Sequence, residues 1–231
     1  MKKLTLLFLL LFVSTIALLA QKQFTGEIRF QTKIVGTDDP NLISSNEEQT
    51  IDIAILGNKS KTVFTVNEMM SITNVWDGDK ETSFVVIEIT GFGKFYNKWN
   101  AEQWKDKMKF KKYSFKYEND YKTICNYKCQ KVVVTTTNLE DDSTTESILY
   151  VTKEIGSSKI NGDTPGLEGF PLMQMEPLEQ YCEDCYAVVE AVKITPKKIK
   201  DVDFLLSNDA KSFDDIPIPE LKEKLKERFG E

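Results

Sequence analysis

The 231-residue chain contains no histidine. That absence removes Ser-His and Cys-His nucleophile pairs, and it removes imidazole-ligated zinc. Positive charge is also in short supply: 30 Lys and Arg face 36 Asp and Glu, a net charge of −6. Nucleic-acid binding relies on neutralising phosphates with cations, so general binding of that kind is not expected. Proline and glycine are sparse, at 7 and 11 residues, and no repeat or low-complexity tract is present. Only one long apolar run occurs, Leu4 to Leu19. Acidic pairs such as Asp38-Asp39 and Asp141-Asp142 occur, but none has the spacing of a calcium loop. No catalytic residue, cofactor or metal is expected, and the chain is not read as an enzyme.

The apolar run follows Lys2 and Lys3 and ends at Ala20 before Gln21. Charged start, apolar centre and small residue at the end form the pattern of a cleaved export signal over residues 1–20. A periplasmic or secreted location is expected, and the lack of a cysteine at the cut argues against a lipoprotein. Residues 21–231 are long enough for a single domain with its own core.

What remains is rich in strand signals. Tyr121 to Lys153 carries two β-branched runs around Asn138-Leu-Glu-Asp-Asp142, a hairpin pattern. Phe24, Ile28, Phe30 and Ile34 alternate onto one face of an opening strand, as do Ile51, Ile53 and Ile55 of the next. Asp77-Gly78 suits a type I′ turn between strands over 69–76 and 83–89. Strands are also expected over 170–180 and 186–195, the latter with Tyr186, Val188, Val192 and Ile194 on one face. Asn100 followed by Gln103 forms a capping box for a short helix over 101–107. A second, amphipathic helix is expected over 216–231, with Leu221, Leu225 and Phe229 as its apolar stripe.

The motifs Thr123-Ile-Cys-Asn-Tyr-Lys-Cys129, Tyr150-Val-Thr-Lys-Glu-Ile155 and Leu167-Glu-Gly-Phe-Pro-Leu172 follow one another in the chain. In that order they resemble a group of exported bacterial proteins of unknown function, the GLPGLI-like group. That group looks like a relative of the periplasmic lipoprotein carriers LolA and LolB. The resemblance implies a mainly β fold: a curved antiparallel sheet forming an unclosed barrel, with a short central helix and a C-terminal helix. It also implies an apolar cavity.

The four cysteines lie behind an export signal, which favours disulfides. A meander would put Cys125 and Cys129 at one end of the sheet and Cys182 and Cys185 at the other, so local pairs are expected. Cross-pairing and a thiolate metal site are the alternatives. Met70, Ile72, Phe84, Val86, Met173 and Met175 are candidates to line a cavity, since methionine suits adaptable apolar pockets. The segment Lys94 to Lys112 holds seven lysines against two acids. Its Lys94, Lys98, Trp99, Trp104, Lys105 and Lys109 form a candidate patch for anionic head groups or an acidic partner. A solvated face is the simpler reading of the same run. Together these features suggest a non-catalytic envelope protein that binds a lipid or acylated protein. The alternative is a ligand-free module that binds an envelope protein partner. A hollow or a filled sheet face separates the two.

Overall fold

The computed structural model describes residues 24–40, 49–67, 70–178, 182, 184–215 and 219. The segment expected to be a signal (1–20) lies outside them. So do Met69 and, Pro219 aside, the helix expected over 216–231.

Among the described residues twelve strands follow one another: β1 Thr25–Val35, β2 Thr50–Leu56, β3 Lys59–Asn67, β4 Met70–Asp77, β5 Thr82–Ile89 and β6 Gly93–Trp99, then β7 Lys111–Ile124, β8 Tyr127–Asn138, β9 Thr144–Thr152, β10 Phe170–Pro177, β11 Tyr186–Pro196 and β12 Lys211–Ser212. One helix, α1 (Ala101–Met108), separates β6 from β7. All the strands join one sheet in the order β12-β6-β5-β4-β3-β2-β1-β11-β10-β9-β8-β7. Every pairing is antiparallel except β12 with β6. The ends of the order do not pair, so the sheet is not closed. The expectation of a mainly β, antiparallel, unclosed sheet is thus met.

Two meanders build the sheet, β2 to β6 and β7 to β11, and β1 stitches them by pairing with both β2 and β11. Opposite residues in an antiparallel ladder share a face. The front face therefore carries three rows across β1 to β6. One is bulky: Phe30, Ile51, Phe64, Ile72, Ile87, Phe95. The next runs Ile28, Ile53, Thr62, Asn74, Val85, Asn97, and the third Gly26, Ile55, Ser60, Trp76, Ser83, Trp99. Behind the same strands, Val75 packs with Ile199 and Phe204, which arrive from the segment after β11.

Several expectations need correction. Asp77-Gly78 is not a two-residue turn: Asp77 pairs with Thr82, and a four-residue loop ends in Glu81 at φ 54°. Asp77 holds that loop by accepting from the amides of Asp79 and Lys80. Val192 does not share the buried face of Val188. A bulge at Arg29/Phe30 leaves it half-exposed and returns Ala191 to the core opposite Phe30. The capping box is present: the Asn100 side chain accepts from the Gln103 amide at 2.9 Å, and the Gln103 side chain accepts from the Asn100 amide at 2.9 Å. The helix it starts runs one residue beyond the expected end.

A hairpin between β7 and β8 was not anticipated. Its two central residues, Cys125 and Asn126, lie at φ 48° and 71°, the left-handed pair of a type I′ turn. Asparagine tolerates that region; cysteine is rarely found there. The hairpin bulges where residues 118–120 face Lys131, and its tip reaches back to β11. There Lys122 Nζ donates to Glu190 at 2.9 Å and the Cys125 thiol donates to the Ala191 carbonyl at 3.3 Å.

Candidate functional site

The segment between β9 and β10, residues 153–169, is a strap across the front face. On one side its Lys159 carbonyl accepts from Trp76 Nε1 at 2.7 Å, and its Ser157 hydroxyl donates to Asn58 at 2.7 Å. On the other side its Glu168 amide donates to the Tyr117 hydroxyl at 2.9 Å. Asn161 braces the strap internally: its buried amide donates to the carbonyls of Leu167 and Gly169 at 3.0 and 2.7 Å. Two glycines allow the close approach. A Cβ at Gly78 would lie 2.0 Å from the Lys159 carbonyl oxygen, and one at Gly162 would lie 2.7 Å from the Trp76 ring.

Beneath the strap the two halves of the sheet differ. Over β8 and β9, Leu167 is fully buried among Val132, Val134, Leu149 and Val151. Over β2 to β5, the central row turns small and polar at Thr62 and Asn74, and the next offers Ser60 and Ser83. These side chains do not fill the gap beneath the strap. A cleft of about 390 Å³ remains, walled by Phe30, Ile51, Ile53, Trp76, Met173 and Val189 among others. That volume lies in the range of small-molecule sites. One polar pair of the cleft is self-satisfied, with Ser83 Oγ donating to Asn74 Oδ1 at 3.2 Å. Among the described residues, no buried side-chain nitrogen or oxygen lacks a partner.

A second cavity of about 360 Å³ adjoins the first and shares Trp76, Trp104, Asn161 and Gly162 with it. Its outer wall is α1. Trp104, buried on that helix, lies 5.0 Å from the Trp76 ring and 6.4 Å from the Trp99 ring. Lys107 Nζ sits 4.7 Å above both Trp99 and Trp104. The cavity's rim carries Lys105, Lys109 and Lys159.

Of the six residues expected to line a cavity, Met173 does so. Met70 and Ile72 lie on the front face, in register with Asn74 and Trp76, but do not line the cleft. Phe84 and Val86 are out of phase: they pair with Val75 and Thr73 and so face the back, where Phe84 joins Ile199 and Phe204. Met175 packs against the main core. The residues that do form the cleft, Thr62, Asn74, Ser60 and Ser83, gave no signal on their own. Reading the rows across the strands requires the register.

The lysine and aromatic patch is also divided. Lys94 and Lys98 pair with Glu88 and Phe84 and lie on the back, Lys94 bonded to Asp209 at 3.1 Å. Trp99, Trp104, Lys105 and Lys109 belong to the cleft side.

Cys182 and Cys185 form a disulfide, with their Cα atoms 5.3 Å apart. Cys125 and Cys129 do not pair. The tight turn puts Cys125 beyond the strand end, while Cys129 is fully buried opposite Lys122. Burial pushes the Cys129 thiol up to about 11 and, with the nearby Glu190 carboxylate, raises that of Cys125. Both are thiols at neutral pH, and neither is an activated nucleophile. Among the described residues, no cluster of His, Cys, Asp or Glu could hold a metal ion.

Comparison with solved structures finds a likeness of fold. The fold is similar to that of PNGF-II, solved in two crystal forms. In the P21 form the TM-score is 0.54 at 16% identity, over 89% of this chain and 34% of that one. In the C2 form it is 0.55 at 15% identity, over 87% and 33%. The chain thus spans about a third of the length of the solved chains it matches. At this identity the likeness concerns the fold. No family model and no curated protein matches the sequence.

Proposed function

We propose that this is an exported, non-catalytic binding protein that takes an apolar chain, such as that of a lipid or an acylated protein, into the cleft beneath the strap. One observation carries the reading. The cleft is open space walled mainly by apolar side chains, and its buried polar atoms are already bonded within the protein. A guest there gains little from hydrogen bonds and much from removing apolar surface from water. In this reading the sheet is an unclosed barrel of the LolA type. The strap, or the expected helix over 216–231, moves to admit and release the chain.

A second reading has its own support. The same fold occupies about a third of the PNGF-II chain, which suits a module that works beside other parts. Such a module would need no guest in the cleft.

Native mass spectrometry separates the two. The protein is purified without detergent after export through its own leader, then measured before and after solvent extraction. A lipid-sized adduct that solvent removes is the expected result. A bare chain, together with no uptake of an added neutral alkyl probe, would overturn the binding reading and leave the module.

A further inference from the structure

The two adjoining cavities differ in charge. No cation lines the first, and its one acid is the exposed Asp163 on the strap. The second carries Lys105, Lys109 and Lys159 on its rim against a single carboxylate, Glu81. Trp76 and Trp104 stand between them and line both. The combined space is therefore apolar at one end and cationic at the other, in a chain whose net charge is −6.

The three lysines already have partners: Lys105 with Glu81 at 2.9 Å, Lys109 with Asp106 at 2.6 Å and Lys159 with Asp79 at 3.1 Å. In each pair both side chains are about half or more exposed, and exposed ion pairs of this kind are weak. An anion held beside the Trp104 ring is partly shielded from water, where charge-assisted hydrogen bonds are stronger. The lysines can therefore exchange their surface partners for a guest's head group. An ammonium head group would meet three like charges instead. In the first cavity, Asp163 disfavours an anionic head group by repelling it.

Resting on the binding reading above, we infer that the guest is a single-chain amphiphile with an anionic head. Its chain lies in the cleft over β2 to β5, and its carboxylate or phosphate is held at the mouth by Lys105, Lys109 and Lys159. The tryptophan pair marks the boundary between chain and head.

The test uses the full exported chain, stripped by solvent extraction, and displacement of a neutral fluorescent alkyl probe. The competitors share one alkyl chain: dodecanoate, dodecyl phosphate, dodecanol and dodecyltrimethylammonium. Dodecanoate, dodecyl phosphate or both should bind about tenfold more tightly than dodecanol, as expected of a few charge-assisted hydrogen bonds. Dodecyltrimethylammonium should bind most weakly. Which of the two anions leads tells a fatty acid from a phosphate ester. In the K105A/K109A/K159A variant the ratio of anion to alcohol affinity should fall to near one. The same three charges removed at exposed Lys111, Lys193 and Lys198, which line neither cavity, should leave that ratio in place. Equal affinity for all four in the native protein would overturn the head-group inference while leaving the cleft as a binding site. So would a preference that survives the triple variant at the mouth. No displacement by any of them would overturn the binding reading itself.

Discussion

The two halves of the front face share one strap and one sheet, yet one is filled and the other hollow. Over β8 and β9 the strap sends down Leu167, and the strands answer with Val132, Val134, Leu149 and Val151. Over β2 to β5 the strap presents Asn161 and Gly162, and the strands answer with Thr62, Asn74, Ser60 and Ser83. Close packing is the ordinary state of a protein interior, so a gap of this size under a braced segment is a departure. The difference lies in side-chain volume, since one continuous strand order carries both halves. A single fold can thus anchor a strap at one end and leave room for a guest at the other.

The contrast can be broken most severely on its filled side. Leu167→Ala removes a fully buried side chain and should cost about 2–5 kcal/mol of stability, measured by urea unfolding. A cost below about 1 kcal/mol would mean that Leu167 does not anchor the strap. Gly162→Ala drives a methyl into the Trp76 ring and should cost about 1–3 kcal/mol, with altered tryptophan fluorescence as a second readout. On the hollow side, Thr62→Leu has space to occupy. It should change stability by less than about 1 kcal/mol while reducing uptake of an alkyl probe. A loss of stability equal to that of Leu167→Ala would show that the cleft is closed in solution.

The smallest effect concerns the hairpin tip. Burial pushes the Glu190 carboxyl up, but the hydrogen bonds from Lys122 and Lys33 outweigh it and hold its pKa below the ordinary 4.5. The native state therefore favours the charged form. The contribution is fully present above pH 4.5 and is lost as pH falls through the lowered native value. Glu190→Gln should flatten the acid limb of the stability profile and leave its slope above neutrality unchanged. An unchanged acid limb would show that the charge of Glu190 does not help to hold the tip.

Much of the framework is legible in the chain, and the reasons are local. Alternation in Ile28 and Phe30, and in Ile51, Ile53 and Ile55, reports one wet and one dry face, because strand periodicity is fixed at two. The Asn100 and Gln103 capping box is read from two side chains and two amides within four residues. The β8–β9 hairpin follows from β-branched runs on either side of an acidic turn. Where local rules compete, the reading fails. Cys125-Asn126 is a turn without a glycine, so the strand motif around it hides the reversal. The bulge opposite Arg29/Phe30 makes Val192 an extra residue of β11 and shifts the phase of that strand, and no glycine or proline in β11 marks the place.

The site was less legible. Phe84 and Val86 look like cavity residues beside Ile72, yet Trp76 pairs with Ser83, and that single register choice sends both to the back. Lys94 and Lys105 lie in one basic run but on opposite sides of the sheet.

The sequence by itself determined the class of the fold, the lack of histidine chemistry and the positions of most strands, because these depend on composition and on patterns a few residues long. Tertiary structure alone decided which small side chains meet across three strands, which cysteines meet, and that a strap closes over one half of the face more tightly than over the other. Those outcomes depend on ladder register and on packing between segments far apart in the chain, such as Lys33 and Glu190, 157 positions apart. No local pattern records either one.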